Sequence, residues 1–206
     1  MVFKTFAALA ASLVAVSVHA ATITVSYTGA PTPGLAGFNT ITVHLHSNQP
    51  MQGFDFAGDG SPSGTNSKGF HGPMHQLNPS SISTIYGDNN SAITGAGGNT
   101  KQDSQFLVNS GSVTVLPGLS HESSTLLQGI WAVAAPVGTD YDIAQLVLPV
   151  TSTAAVSYAG TVSTVQNGVL VGNQVSGTIN YLVPEPAGFV LVGLSVVGLV
   201  GSRRRK

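Results

Sequence analysis

The chain has no cysteine among its 206 residues. That absence excludes a disulfide framework, a thiolate zinc site and a cysteine nucleophile. Charge is almost as scarce. Asp, Glu, Lys and Arg make up 7% of the sequence, against roughly 25% in ordinary soluble domains. Solubility therefore rests on Ser, Thr, Asn, Gln and Gly, a composition common on exported β proteins. Between Ala21 and Val183 the only bases are Lys68 and Lys101, set against Asp55, Asp59, Asp88, Asp103, Glu122, Asp140 and Asp142, a net −5. A nucleic-acid binder needs a basic footprint, so that partner class is excluded. There is also no G-x-S-x-G elbow, H-E-x-x-H or P-loop. No catalytic residue is assigned, and the chain is read as a non-enzyme.

What is present is concentrated first at the ends. Lys4 precedes an uncharged apolar run from Phe6 to Val18, and Val18-His19-Ala20 supplies a cleavable site. This is the layout of a secretory signal peptide over residues 1–20, cut between Ala20 and Ala21. The C-terminus has three parts. Val183-Pro184-Glu185-Pro186 comes first, then the uncharged run Ala187–Gly201, then Arg203-Arg204-Arg205-Lys206. The prolines block extension of a strand or helix. The basic block favours the cytoplasmic side of a membrane. Fifteen apolar residues make a helix of about 22 Å, short for a hydrocarbon core of about 30 Å. Such a span suits a temporary stop better than a permanent anchor.

This tail resembles the PEP-CTERM sorting signal of Gram-negative bacteria over about 24 residues, in motif, helix and basic cluster. The resemblance implies export by the Sec machinery and a transient stay in the inner membrane. It also implies recognition and cleavage by an exosortase near Pro184–Pro186. Delivery to the cell surface or extracellular matrix would follow, in an exopolysaccharide or biofilm setting.

Residues 21–182 are read as one all-β domain. Thr22–Tyr27 and Thr40–His46 alternate polar and apolar residues, the mark of half-buried strands. Gln52–Ala57, Gln105–Val108, Ser112–Leu116, Leu126–Ala134, Ile143–Val150, Ala154–Thr164 and Val175–Leu182 are further expected strands. Gln166-Asn167-Gly168 is an expected hairpin turn. The fold predicted is an antiparallel β-sandwich of jelly-roll or cohesin-like type with about 8–10 strands. It is flanked by the N-terminal signal helix and the C-terminal transmembrane helix. The expected core is Ile23, Val25, Ile41, Val43, Leu45, Phe54, Phe56, Phe106, Val108, Ile130, Trp131, Leu146, Leu148, Val156, Tyr158, Ile179 and Tyr181. Gly58–Ser81 and Tyr86–Gly98 are expected surface loops. The run Phe38–Phe56, passing through Asn48-Gln49-Pro50, looks like the opening strands of cohesin-like sandwiches, which bind protein modules outside the cell. It carries over no binding residue.

Three patterns bear on chemistry. His44 and His46 share a strand face, where two imidazoles suit a metal. A solvated face is the preferred reading unless His71, His75 or His121 approaches, and no metal site is assigned. Asp55, Asp59, Asp88, Asp103, Asp140 and Asp142 are hard oxygen donors suited to calcium, yet no EF-hand-type loop occurs, and Asp88-Asn89-Asn90 and Asp140-Tyr141-Asp142 read equally well as turns. Phe70, Tyr86 and Tyr141 lie in or near loops. They either stack on sugars or, as preferred here, fold back over the core. The function expected is that of an exosortase-processed surface or matrix protein with a non-catalytic domain. The alternatives are a cohesin-like or carbohydrate-binding adhesion module and a secreted hydrolase. The partners expected are the exosortase, the export machinery and an extracellular glycan or protein.

Overall fold

The computed structural model describes residues 21–57, 68–77, 98–107, 113–116, 119–134, 138–150 and 155–180. Among them are eleven strands, a short 3₁₀ turn at Thr100–Gln102 and no α-helix. The strands are β1 (Ile23–Pro31), β2 (Phe38–Asp55), β3 (Gly69–His71), β4 (Gln105–Phe106), β5 (Val113–Val115), β6 (His121–Ser123), β7 (Leu126–Gln128), β8 (Ile130–Val133), β9 (Gly138–Pro149), β10 (Ala155–Gln166) and β11 (Val169–Asn180). Every pairing is antiparallel. The chain is therefore all-β over the described residues. The expected signal helix and transmembrane helix lie outside them, and no described helix is long and apolar enough to cross a membrane.

β2 organises the rest. It runs 18 residues, where sequence alternation suggests two strands interrupted at Asn48-Gln49-Pro50. Proline is tolerated because the β2–β9 ladder breaks there: His46 pairs Asp140, and the next partners are Met51 and Gly138. The first half of β2 lies between β1 and β9. Its last residues pair with β10 and β8. Odd-numbered residues Ile41, Val43 and Leu45 point into the core, and even-numbered ones point out.

The core is aromatic at its centre. Phe56 stacks on Phe70 at 5.5 Å, and Trp131 lies 4.7 Å from Phe106 and 5.1 Å from Phe54. Ring pairs at these distances add to the stabilisation from buried area. Gly160 admits Phe56, since a Cβ there would stand 2.6 Å from its ring. The hairpin between β10 and β11 turns at Asn167 and Gly168 with φ of 50° and 79°, the pair of positive angles that Asn-Gly supplies.

Several expectations are corrected. The run Leu126–Ala134 is two strands, because the chain breaks at Gly129, whose carbonyl accepts from Phe56 N–H at 2.9 Å. β7 then pairs with β3 and β6, whereas β8 pairs with β2 and β5. The expected loop Gly58–Ser81 contains β3, whose Phe70 is fully buried, and Met74 is buried behind it. β9 starts five residues ahead of the expected Ile143, so Asp140-Tyr141-Asp142 is strand and not turn. Ile130 is only half-buried, and Ile23, Val25 and Tyr158 pack at the core's margin. The core instead gains Met51, Leu127, Ile143, Ala144, Val147, Val162 and Val175. Val108, Tyr181 and Tyr86 lie outside the described residues.

Candidate functional site

The outer face of β1, β2 and β9 carries two histidine–aspartate pairs side by side. His44 pairs directly across with Asp142, and His46 with Asp140. On the other flank, Ser26 pairs with His44 and Thr24 with His46. This alignment depends on a bulge. Val43 pairs with Ala144, but His44 pairs with Asp142, so Ile143 is an extra residue on β9. Ile143 and Ala144 are both buried in consequence. A one-residue slip moves side chains to the opposite face. The bulge therefore lets β9 bury Ala144 and Ile143 while turning Asp142 and Asp140 toward the histidines.

Each imidazole is held by its Nδ1. His44 Nδ1 bonds to the Asp142 carboxylate, and His46 Nδ1 lies 2.7 Å from Asp140 Oδ1. On its far side, His44 Nε2 lies 3.0 Å from Thr28 Oγ1. A carboxylate accepts only, so Nδ1 carries a proton, and in the neutral ring Nε2 keeps its lone pair. The Thr28 hydroxyl donates to His44 Nε2. The His46 ring, and after it the Thr139 hydroxyl at 2.8 Å, holds the Asp140 carboxyl below the usual carboxylate range. The side chains stay wet: His44 is 32% and His46 63% exposed. An open cleft of about 510 Å³ runs beside them, lined also by Ser26, Trp131 and Tyr141.

The chain Thr28–His44–Asp142 has the hydroxyl–imidazole–carboxylate order used in acyl transfer. Backbone N–H groups of paired strands lie in the plane of the sheet, so the ladder aims no donor at an oxyanion above this face.

The remaining sequence candidates are dispersed. His71 Nε2 meets the Lys68 carbonyl at 2.9 Å, and His75 Nδ1 the Gln102 carbonyl at 2.7 Å. Asp55 pairs with Lys68. Among the described residues no three His, Asp or Glu converge on a metal position. Asp59 and Asp88 lie outside those residues, as do Ala20, the sorting motif Val183, Pro184, Glu185 and Pro186, and the basic tail Arg203, Arg204, Arg205 and Lys206. Ala21 is the first described residue, and β11 closes at Asn180, just ahead of Val183. Phe70 and Tyr141 both turn inward, the latter edge-on to Phe54 at 5.3 Å.

Sequence reading missed the two aspartate partners, which lie 98 and 94 residues from their histidines. The available signal was a shared period of two, His-x-His and Asp-x-Asp. Sequence reading named Asp103 only as one of several oxygen donors and did not anticipate its burial beside β9, where its carbonyl accepts from Gln145 Nε2 at 2.7 Å. Asp103 Oδ1 accepts from Leu77 N–H at 2.9 Å, while Oδ2 has no partner. Burial pushes its pKa up to about 6, against the pull of the Leu77 N–H, His75 and the Ser104 N–H.

No family model matches the chain, and no curated protein or solved structure matches it significantly.

Proposed function

We propose that this chain is an exported, exosortase-processed surface or extracellular-matrix protein of a Gram-negative bacterium, with a non-catalytic β-sandwich as its delivered domain. The observation that carries this reading is the ordered tail: Val183-Pro184-Glu185-Pro186, a short uncharged run and four terminal bases. Its support is consistent from end to end. The described strands, from Ile23 to Asn180, all lie within the interval between the two proposed terminal signals. Its composition is poor in charge and rich in hydroxyl side chains, as suits a matrix component. In this reading β2 serves both layers of the sandwich, its first half in one and its last residues in the other. The non-catalytic assignment rests on the sequence, which carries no G-x-S-x-G elbow, H-E-x-x-H or P-loop. An adhesion module for glycan or protein is the second reading, favoured by the open cleft beside His44 and His46.

The test is made in the native host. With Pro184 and Pro186 both replaced by alanine, the protein is expected to remain full-length and membrane-held, whereas the natural chain is released shortened. Mass spectrometry of the natural protein still ending at Lys206 overturns the exosortase reading. Glycan-array binding and pull-down with the exported protein then separate a matrix component from an adhesion module.

A further inference from the structure

We propose that His44 and His46 form a two-nitrogen binding site for a divalent transition-metal ion, with copper(II) preferred over nickel(II) and zinc(II). The site is independent of how the tail is processed.

Four observations carry it. The two rings stand on one face of one strand, two residues and therefore about 6.6 Å apart along it. Each ring has its Nδ1 engaged by its own aspartate, His44 by Asp142 and His46 by Asp140. That bond fixes the tautomer with the Nε2 lone pair outward and makes the nitrogen a stronger donor, as carboxylate-backed histidines are in metal sites generally. Asp140 and Asp142 also place two negative charges beside the rings, which attracts a dication. Finally, the rings border an open cleft, so an ion and its waters have room and access.

The metal preference follows from ligand number. No third His, Asp or Glu converges with these two among the described residues. A structural zinc site takes four protein ligands, which this face does not offer. Copper(II) binds most strongly among these ions and accepts a tetragonal set of two imidazoles and water oxygens. His46 Nε2 has no hydrogen-bond partner among the described residues. His44 Nε2 exchanges the Thr28 hydroxyl, now 3.0 Å away, for the metal. That exchange involves one exposed hydrogen bond, which water replaces on Thr28.

The test is calorimetric titration of the full-length protein with copper(II), nickel(II) and zinc(II) salts, paired with electron paramagnetic resonance of the copper form. One copper per chain is expected, with splitting from two imidazole nitrogens. His44→Ala and His46→Ala should each weaken copper binding by about tenfold or more, because the second nitrogen no longer benefits from a high effective concentration. Asp140→Asn and Asp142→Asn should weaken binding by about tenfold while the two-nitrogen signature persists. His121→Ala should change nothing. Both histidines are at the surface, and circular dichroism of each variant verifies the fold. Absence of saturable binding, a signature of a single imidazole, or unchanged binding in the His44→Ala, His46→Ala double variant overturns the proposal.

Discussion

Asp103 gives the sharpest quantitative test of the fold. Its side chain is buried, its Oδ2 is unpartnered and its pKa is raised from 3.8 to about 6. The folded state therefore holds this proton more tightly than the unfolded chain does. Below pH 3.8 both states are protonated and the group contributes no penalty. As pH climbs toward 6 the unfolded chain releases the proton first, and stability falls. Above pH 6 the ionised carboxylate is buried without full compensation. A shift of just over two units corresponds to about 3 kcal/mol. Asp103→Asn imitates the neutral acid: its carbonyl oxygen still accepts from Leu77 N–H, and nothing ionises. At pH 4 the natural protein and the variant should melt within about 2 °C of each other. At pH 7.5 the variant should melt about 6–12 °C higher, at roughly 2–4 °C per kcal/mol for a domain of this size. Thermal denaturation of the full-length protein followed by circular dichroism from pH 3.5 to 7.5 reads the difference directly. Parallel melting curves for the two proteins across that range would refute a raised Asp103. A variant less stable at pH 7.5 would mean that the ionised carboxylate is favoured in place.

Other perturbations probe the core and the turn. Phe56→Ala empties the space against Phe70 and Trp131 and should cost about 3–5 kcal/mol in urea unfolding. Gly160→Ala drives a methyl into the Phe56 ring and should cost about 1–3 kcal/mol, with the near-ultraviolet aromatic spectrum altered. Gly168→Ala meets open space but holds φ at 79°. It should cost about 1–2 kcal/mol through backbone strain alone, leaving that spectrum unchanged.

How much of this was legible beforehand differs by element. β1, the halves of β2, β10 and β11 show in their alternation, because each buries one face and a period of two records that directly. The Asn167–Gly168 turn shows because few residue pairs accept two positive φ angles. The stretch Asp140-Tyr141-Asp142 does not show. Its composition favours a turn, and it becomes a strand by pairing with His46, Leu45 and His44. Phe70 is similar: a Gly- and Ser-rich context hides a three-residue strand that exists because Tyr158 and Leu127 lie on either side of it. Short strands carry little periodic signal of their own, so their neighbours decide them.

The sequence by itself settled one thing the chain cannot have: without cysteine it has no disulfides. It also determined the β character of the domain, because strand periodicity and turn chemistry are local properties. The tertiary structure alone decided which groups meet. His44 and His46 acquire Asp142 and Asp140 through one bulge at Ile143, and Asp103 becomes a buried acid through packing beside β9. Both depend on register and burial, which arise from contacts between residues tens of positions apart; read alone, each segment shows at most a period of two and not its partner.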